Sequence, residues 1–427
     1  MPFPANIALY KGPIGPLVQR CPLCPPRLVT SDLRRCTGCL ALSYCGHEHQ
    51  TAHRPQHKSV CKKLKKVRAV VAKEEHKVRH ATETNNVPAN AFATHVGRFF
   101  NIVSTRPYML VRFELAKRLL LLGTVDAVTE GLEHLRDLLR LSEDDDLGVR
   151  ELVPGTMLRL DLDQECYDFI KWWETADPGN DKKRGDKTLL PFLDVHGADP
   201  LEDLTFLGEH NDLSSLVCLL ILKLKLLIDI RNIKVTRHAL SGYRHLPIEM
   251  KDQIELATTR SPLSKKLHLM SHASLLQTEK KLLAQCVTLG AAIDEANPKF
   301  MLYLFFDPAQ PLRQEIVLVM QYTYATFWET EGLFGLLNDA RACAARDAEH
   351  DIIDSVRAKK MKAGTTSGET LATESAKRIW EYLHYAVENA SFLGPVSERP
   401  FEKHMKNKKN ADQHKKCTEN KDDKKND

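Results

Sequence analysis

The chain has 427 residues, 43% of them hydrophobic, enough to bury a sizeable core in two or three domains. Its formal charge of +5 is uneven: 14 Lys and Arg face 4 Asp and Glu across residues 20–80, which leaves +10 there and −5 elsewhere. The start, Met1-Pro2-Phe3-Pro4-Ala5-Asn6, has neither a basic n-region nor an apolar h-region, and the best apolar run, 213–230, contains Lys223, Lys225 and Asp229. Neither a secreted disulfide framework nor a membrane span fits, so the expectation is an intracellular protein of cytoplasm or nucleus with no membrane partner.

In chain order, an arm over 1–18 leads into the densest chemistry of the sequence. Six of the 11 cysteines fall between Cys21 and Cys61, while Cys166, Cys218, Cys286, Cys343 and Cys417 are scattered singly. Cys21-Pro22-Leu23-Cys24 and Cys36-Thr37-Gly38-Cys39 are two C-x2-C knuckles, each able to place two thiolates on one tetrahedral zinc. Cys45, His49, His57 and Cys61 follow. A helix across them carries His49, His53 and His57 along one face, each four residues apart. Eight ligands in ordered pairs make two closed four-coordinate sites with no position for substrate, so two Zn2+ ions in a structural role are expected. His47 and His53 are surplus to the eight and read as surface or supporting histidines. Pro55, between His49 and His57, is a residue that kinks or ends a helix.

The run Cys36-x2-Cys39-x4-Tyr44-Cys45-x3-His49-Gln50-x6-His57-Lys58-x2-Cys61, preceded by Cys21-x2-Cys24, resembles a MYND-type zinc finger. The resemblance implies interleaved sites: Cys21, Cys24, Cys45 and His49 on one zinc, Cys36, Cys39, His57 and Cys61 on the other. His49 stands where the family usually has cysteine, and imidazole also binds zinc. The family implies a protein partner, a short proline-containing peptide held by a glutamine and a tryptophan of the helix. Gln50 is kept; Arg54 replaces the tryptophan, so the aromatic wall is missing. The whole chain is similar to fungal-type MYND-finger proteins with long helical C-terminal regions.

The finger is assigned to 19–66, and a charged helix and linker to 67–91. The lysine-rich 62–80 reads as a helix leaving the finger, and turn-rich 82–88 as the linker. An α-helical domain is expected over 92–400. Pro107 suits the first turn of a helix capped by Ser104 or Thr105, with Leu110, Phe113, Ala116, Leu119 and Leu120 at helical spacing until Gly123. Thr124 caps a second helix with Val128, Leu132, Leu135 and Leu139 on one face. A similar passage follows with Asp161 in the place of Gly123, a tetratricopeptide-like repeat pattern. Phe169, Trp172 and Trp173 read as a packed helix interface. Further helices are expected over 213–230, 264–289, 314–330 and 374–390. The tail, 401–427, has nine lysines, six acids and little apolar content, and is expected to be disordered.

The fold class is therefore mostly α, with a small N-terminal two-zinc finger. There is no G-x4-G-K-[ST], no G-x-S-x-G and no H-E-x-x-H; the pair His47-Glu48 has Thr51 where the second histidine belongs. Some MYND fingers sit in SET-domain methyltransferases, but their asparagine-histidine-serine-cysteine stretch is missing here. The expectation is a non-catalytic, zinc-stabilised protein–protein interaction adapter. One alternative is a chromatin- or DNA-associated transcriptional regulator that uses the basic 20–80 patch on nucleic acid. A second is an unrecognised methyltransferase.

Overall fold

The computed structural model describes residues 16–24, 32–81, 87–175, 195–208, 212–305, 314–359 and 368–389. Most of the arm, residues 82–86 of the linker and the whole lysine-rich tail lie outside them. The described chain is a small β-hairpin and metal-ligand cluster joined to a helical body. Strands β1 (Arg34–Arg35) and β2 (Ser43–Tyr44) pair antiparallel, with Arg34 opposite Tyr44. Helix α1 (His47–Arg79) begins at once and runs unbroken across the expected finger boundary. Pro55 sits inside it without ending it. The carbonyl of Thr51, which loses its partner to the proline, belongs to an exposed residue, where water can take the lost bond.

After a single turn, α2 (Ala91–Thr94), come the paired helices α3 (Arg106–Leu120) and α4 (Val125–Leu141). Thr124 caps α4 by accepting from the Ala127 N–H. Gly123 turns between the helices at φ 63°. Thr105 occupies the N-cap of α3 but makes no side-chain cap bond. Its hydroxyl donates instead to the carbonyls of Ile102 and Phe99. The α3 stripe is also rotated from the one expected. Leu110 is exposed, while Tyr108, Met109, Leu115, Ala116, Leu119 and Leu120 are buried against α1 and α4. On α4 the four expected apolar residues are all buried. Gly131 lets the pair close: a Cβ there would lie 2.8 Å from Leu120 Cδ2.

The next pair, α5 (Val153–Arg159) and α6 (Asp163–Thr175), turns at Asp161 with φ 57°, the same left-handed conformation as Gly123. Since α5 has 7 residues and α3 has 15, the two pairs share a turn and not a length. Phe169 and Trp172 are buried, and Arg150 lies over the Trp173 ring.

Helix α7 (Leu213–Ser241) is the centre of the body, packed against α5, α6, α9 and α11. Every residue from 213 to 230 is buried, so no apolar stripe is visible in its sequence. Two lysines inside this run point opposite ways, as a helix requires of residues two apart. Lys223, fully buried and held down to about 8 by desolvation, donates to the Pro200 carbonyl. Lys225 pairs with Asp161 (2.6 Å) and Asp163 (2.9 Å), whose charges outweigh burial and raise it.

Beyond α7 lie α8 (Ile248–Ala257), a 3-10 segment (Pro262–Leu269), α9 (His272–Ala296), α10 (Phe300–Phe305), α11 (Gln314–Glu329), α12 (Leu333–Lys359), α13 (Gly368–Lys377) and α14 (Ile379–Asn389). The expected helix 264–289 is thus two elements, because Ser271 caps a new helix by accepting from the Ser274 N–H. The expected 374–390 breaks at Arg378. No helix among the described residues is long and apolar enough to cross a membrane.

One buried ion pair closes the body. Arg159 donates Nε and Nη2 to the Glu329 carboxylate at 2.7 and 2.9 Å, and Nη1 to the Leu120 carbonyl. Both side chains are almost fully enclosed. Glu329→Ala leaves an uncompensated buried guanidinium and is expected to cost about 3–5 kcal/mol, whereas Arg159→Met with Glu329→Leu is expected to cost far less. Urea unfolding of the three proteins checks the order.

Candidate metal centre

The segment 16–24, the β1–β2 hairpin and the N-terminal half of α1 gather eight ligand atoms into two clusters. Cys21, Cys24, Cys45 and His49 form one; Cys36, Cys39, His57 and Cys61 form the other. All eight residues singled out in the sequence are brought together, in the interleaved arrangement. Each knuckle is shaped by its own backbone: Cys24 N–H donates to the Cys21 carbonyl, and Leu40 N–H to that of Cys36. On α1, His57 and Cys61 are one turn apart and share a face.

The spacing of the ligand atoms tests whether zinc fits. A tetrahedron with Zn–S near 2.3 Å and Zn–N near 2.05 Å has S···S edges of about 3.8 Å and S···N edges of about 3.5 Å. In the second cluster Cys36 and Cys61 sulfurs lie 3.8 Å apart, and His57 Nε2 lies 3.4 Å from Cys36 and 3.5 Å from Cys39. In the first, His49 Nδ1 lies 3.5 Å from both Cys21 and Cys24 and 3.1 Å from Cys45. Three sulfurs and one imidazole nitrogen at these separations are a zinc-type donor set, and the two clusters are consistent with two structural zinc ions.

Electrostatics point the same way. Burial resists charge on Cys21, but the N–H groups of Cys45 and Leu23 point at its sulfur and bring it down to about 6. Desolvation and the neighbouring sulfurs of Cys45 and Cys21 push Cys24 up to about 12. Burial, with the charges of Cys36 and Cys61, likewise holds Cys39 at about 12. Crowded sulfurs of this kind all ionise only with a cation among them. Burial, then His53 and Arg54, lowers His57 and keeps it in the neutral form that binds metal.

Two supporting residues, Gly38 and Tyr44, were not assigned from the sequence; His53, read there as a surface or supporting histidine, joins them. A Cβ on Gly38 would lie 2.8 Å from the Cys61 sulfur, so only glycine lets this knuckle approach. Tyr44 packs edge-on to His57, with its hydroxyl 3.0 Å from His53 Nδ1. His53 in turn stacks on His57, centroids 6.0 Å apart. The glycine between knuckle cysteines and the i, i+4 histidine were the available signals. None of the ten cysteines among the described residues is in a disulfide.

The finger is docked on the α3–α4 hairpin. Asp126, in the first turn of α4, accepts from Gln19 Nε2 (2.8 Å), Arg35 Nη2 (2.6 Å) and Ser43 Oγ (2.8 Å). Thr124 Oγ1 donates to the Ala41 carbonyl at 2.6 Å. Arg68, about six turns into α1, donates Nε to the Cys39 carbonyl and grips the Glu130 carboxylate with both Nη atoms. Burial opposes ionisation of Glu130, but His134 and Arg68 outweigh it and bring it down to about 2. Four of the basic residues in 20–80 are therefore spent in ion pairs, Arg35, Arg68, Lys77 and Arg79, while Lys62, Lys63, Lys65 and Lys66 stay exposed.

Elemental analysis of purified protein is expected to find two zinc per chain; a value of one would show a misassigned ligand. Chelation is expected to unfold 21–61 while leaving most of the helical circular dichroism. Asp126→Ala removes three bonds, of which only that of buried Ser43 cannot pass to water, and is expected to cost about 1 kcal/mol of docking without loss of zinc. Hydrogen exchange is then faster at 41–44 and 122–127; unchanged exchange would show that the seam does not depend on this carboxylate.

No curated protein and no solved structure matches the chain. A protein-family model described as MYND finger matches residues 19–61. Those residues hold all eight ligands in their two interleaved clusters, and the chain carries a MYND zinc finger at the head of a helical body.

Proposed function

We propose that this protein is a non-catalytic adapter, in which the zinc-bound finger and the helical body together hold a protein partner. The supporting observation is that each cluster supplies four protein ligands and so closes its metal to substrate. MYND fingers in general mediate protein–protein contacts. Here the finger is presented rigidly, through Asp126, Thr124 and Arg68, rather than on a free tether.

Two surfaces are available for a partner segment. The family's peptide cleft falls by Gln50 and Arg54 on α1, where the guanidinium gives a proline ring no flat apolar wall. A cleft of about 420 Å³ opens instead at the seam, between Pro22 and Leu42 of the finger and Leu122 and Val125 of the body. A short apolar segment with a donor for Asp126 suits the seam better than a polyproline ligand suits the α1 face. The second reading, nucleic-acid contact, rests on the exposed lysines 62–66 and predicts binding that falls steeply with salt.

Intact protein is expected to recover specific partners in pull-down, with loss on Cys45→Ala and on Leu122→Glu; recovery unchanged in both would sink the adapter reading. Arg54→Trp restores the missing wall, and is expected to raise affinity for a proline-containing peptide at least tenfold by fluorescence titration.

A further inference from the structure

The two ligand clusters differ in how far solvent reaches them. Cys36, Cys39, His57 and Cys61 are all buried. In the other cluster only Cys21 is buried, while Cys24 and His49 are half-buried and Cys45 is exposed. Cys45 lies in the short link between β2 and α1, and Cys24 lines the seam cleft of about 420 Å³. The sulfurs of this accessible pair are 3.5 Å apart. Closing to a disulfide bond therefore asks for a movement of about 1.5 Å.

With zinc in place the six cysteines are thiolates, the form that reacts with an oxidant. Among thiolates, access decides which one reacts. We infer that Cys45 and Cys24 are an oxidation site, where a hydroperoxide turns this pair of ligands into a disulfide and empties one of the two metal sites. With hydrogen peroxide, the Cys45 thiolate attacks one oxygen; the O–O bond breaks, a sulfenic acid forms and hydroxide leaves. The Cys24 thiolate then attacks the Cys45 sulfur; the S–S bond forms, the S–O bond breaks and a second hydroxide leaves. The two sulfurs lose two electrons, the peroxide gains them, and two protons from solvent turn both hydroxides into water. Cys21 and His49 remain, two ligands where a closed site has four.

The consequence is local. The buried cluster, the bond from Thr124 to the Ala41 carbonyl and the bond from Arg68 to the Cys39 carbonyl involve neither cysteine, so the finger stays docked. Cys21 and Pro22, which wall the seam cleft together with Val18, lose their metal anchor. Oxidation therefore reshapes the cleft and weakens a partner held there. That last step rests on the adapter reading; the disulfide and the loss of metal do not.

The test treats full-length, zinc-loaded protein with hydrogen peroxide in the presence of a chromogenic zinc chelator, and maps disulfides by mass spectrometry without reduction. Zinc is expected to leave in two phases of one ion per chain, the first about tenfold faster than the second. The first disulfide is expected to join Cys24 to Cys45, with the helical circular dichroism unchanged. Cys45→His keeps a four-ligand set, since imidazole also binds zinc, and is expected to slow the first phase about tenfold. The wild-type disulfide map decides the matter whether or not this variant holds two zinc. Release of both ions at one rate, a first disulfide between any other pair, or a first phase unchanged in a zinc-loaded Cys45→His protein overturns the inference. A mapped Cys24–Cys45 disulfide with unchanged partner recovery supports the oxidation site and counts against the seam as the partner's place.

Discussion

Three sulfurs packed with an imidazole nitrogen, all within 4.8 Å of one another, cannot all be thiolates unless a cation sits among them, and this chain builds that crowd twice. Everything at the front of the molecule follows from it. The hairpin β1–β2 is only two residues long on each side, and isolated hairpins of this size are not stable. Its geometry is held by Cys36, Cys39 and Cys45 on one side and by α1 on the other. The two sites interleave along the chain, so neither can form without ordering the segment that serves the other.

The same helix carries the consequence outward. His49, His57 and Cys61 hold the ligand end of α1, and Arg68, two turns further, joins the Cys39 carbonyl to Glu130 of α4. A knuckle carbonyl and a body carboxylate thus share one guanidinium. With Asp126 collecting three donors from the finger, the metal clusters and the α3–α4 hairpin are mechanically continuous. A finger so fixed differs from one on a flexible linker: its free surfaces have a set orientation relative to the body, and the seam itself becomes a surface.

Deeper in, the body relies on charge used in an unusual place. Lys223 and Lys225 sit inside the most apolar stretch of the chain, and Arg159 with Glu329 closes the gap between α5 and α11. Each charge is satisfied by a partner from a distant segment, so these contacts tie the order of helices rather than add bulk stability. Arg237 does the same at the far end of α7, at the cost of leaving Tyr243, Ile248 and Leu269 in solvent.

The amino-acid sequence alone determined the ligand set, because metal coordination demands particular atoms at short chain separations, and Cys21 through Cys61 show that demand directly. It also determined the helical class and the α4 stripe, since Val128, Leu132, Leu135 and Leu139 face one neighbour. It could not place the rotation of α3, where Leu110 is exposed and Met109 buried, because that helix is gripped from two sides by α1 and α4. The 264–289 run hid a break, since Ser271 reads as an interior residue until its cap bond is seen. What only the tertiary structure decided is the use of isolated charges. Asp126, Glu130, Glu329 and Arg237 look like ordinary surface residues in the sequence, and their roles depend on partners 18 to 170 residues away, which no local pattern encodes.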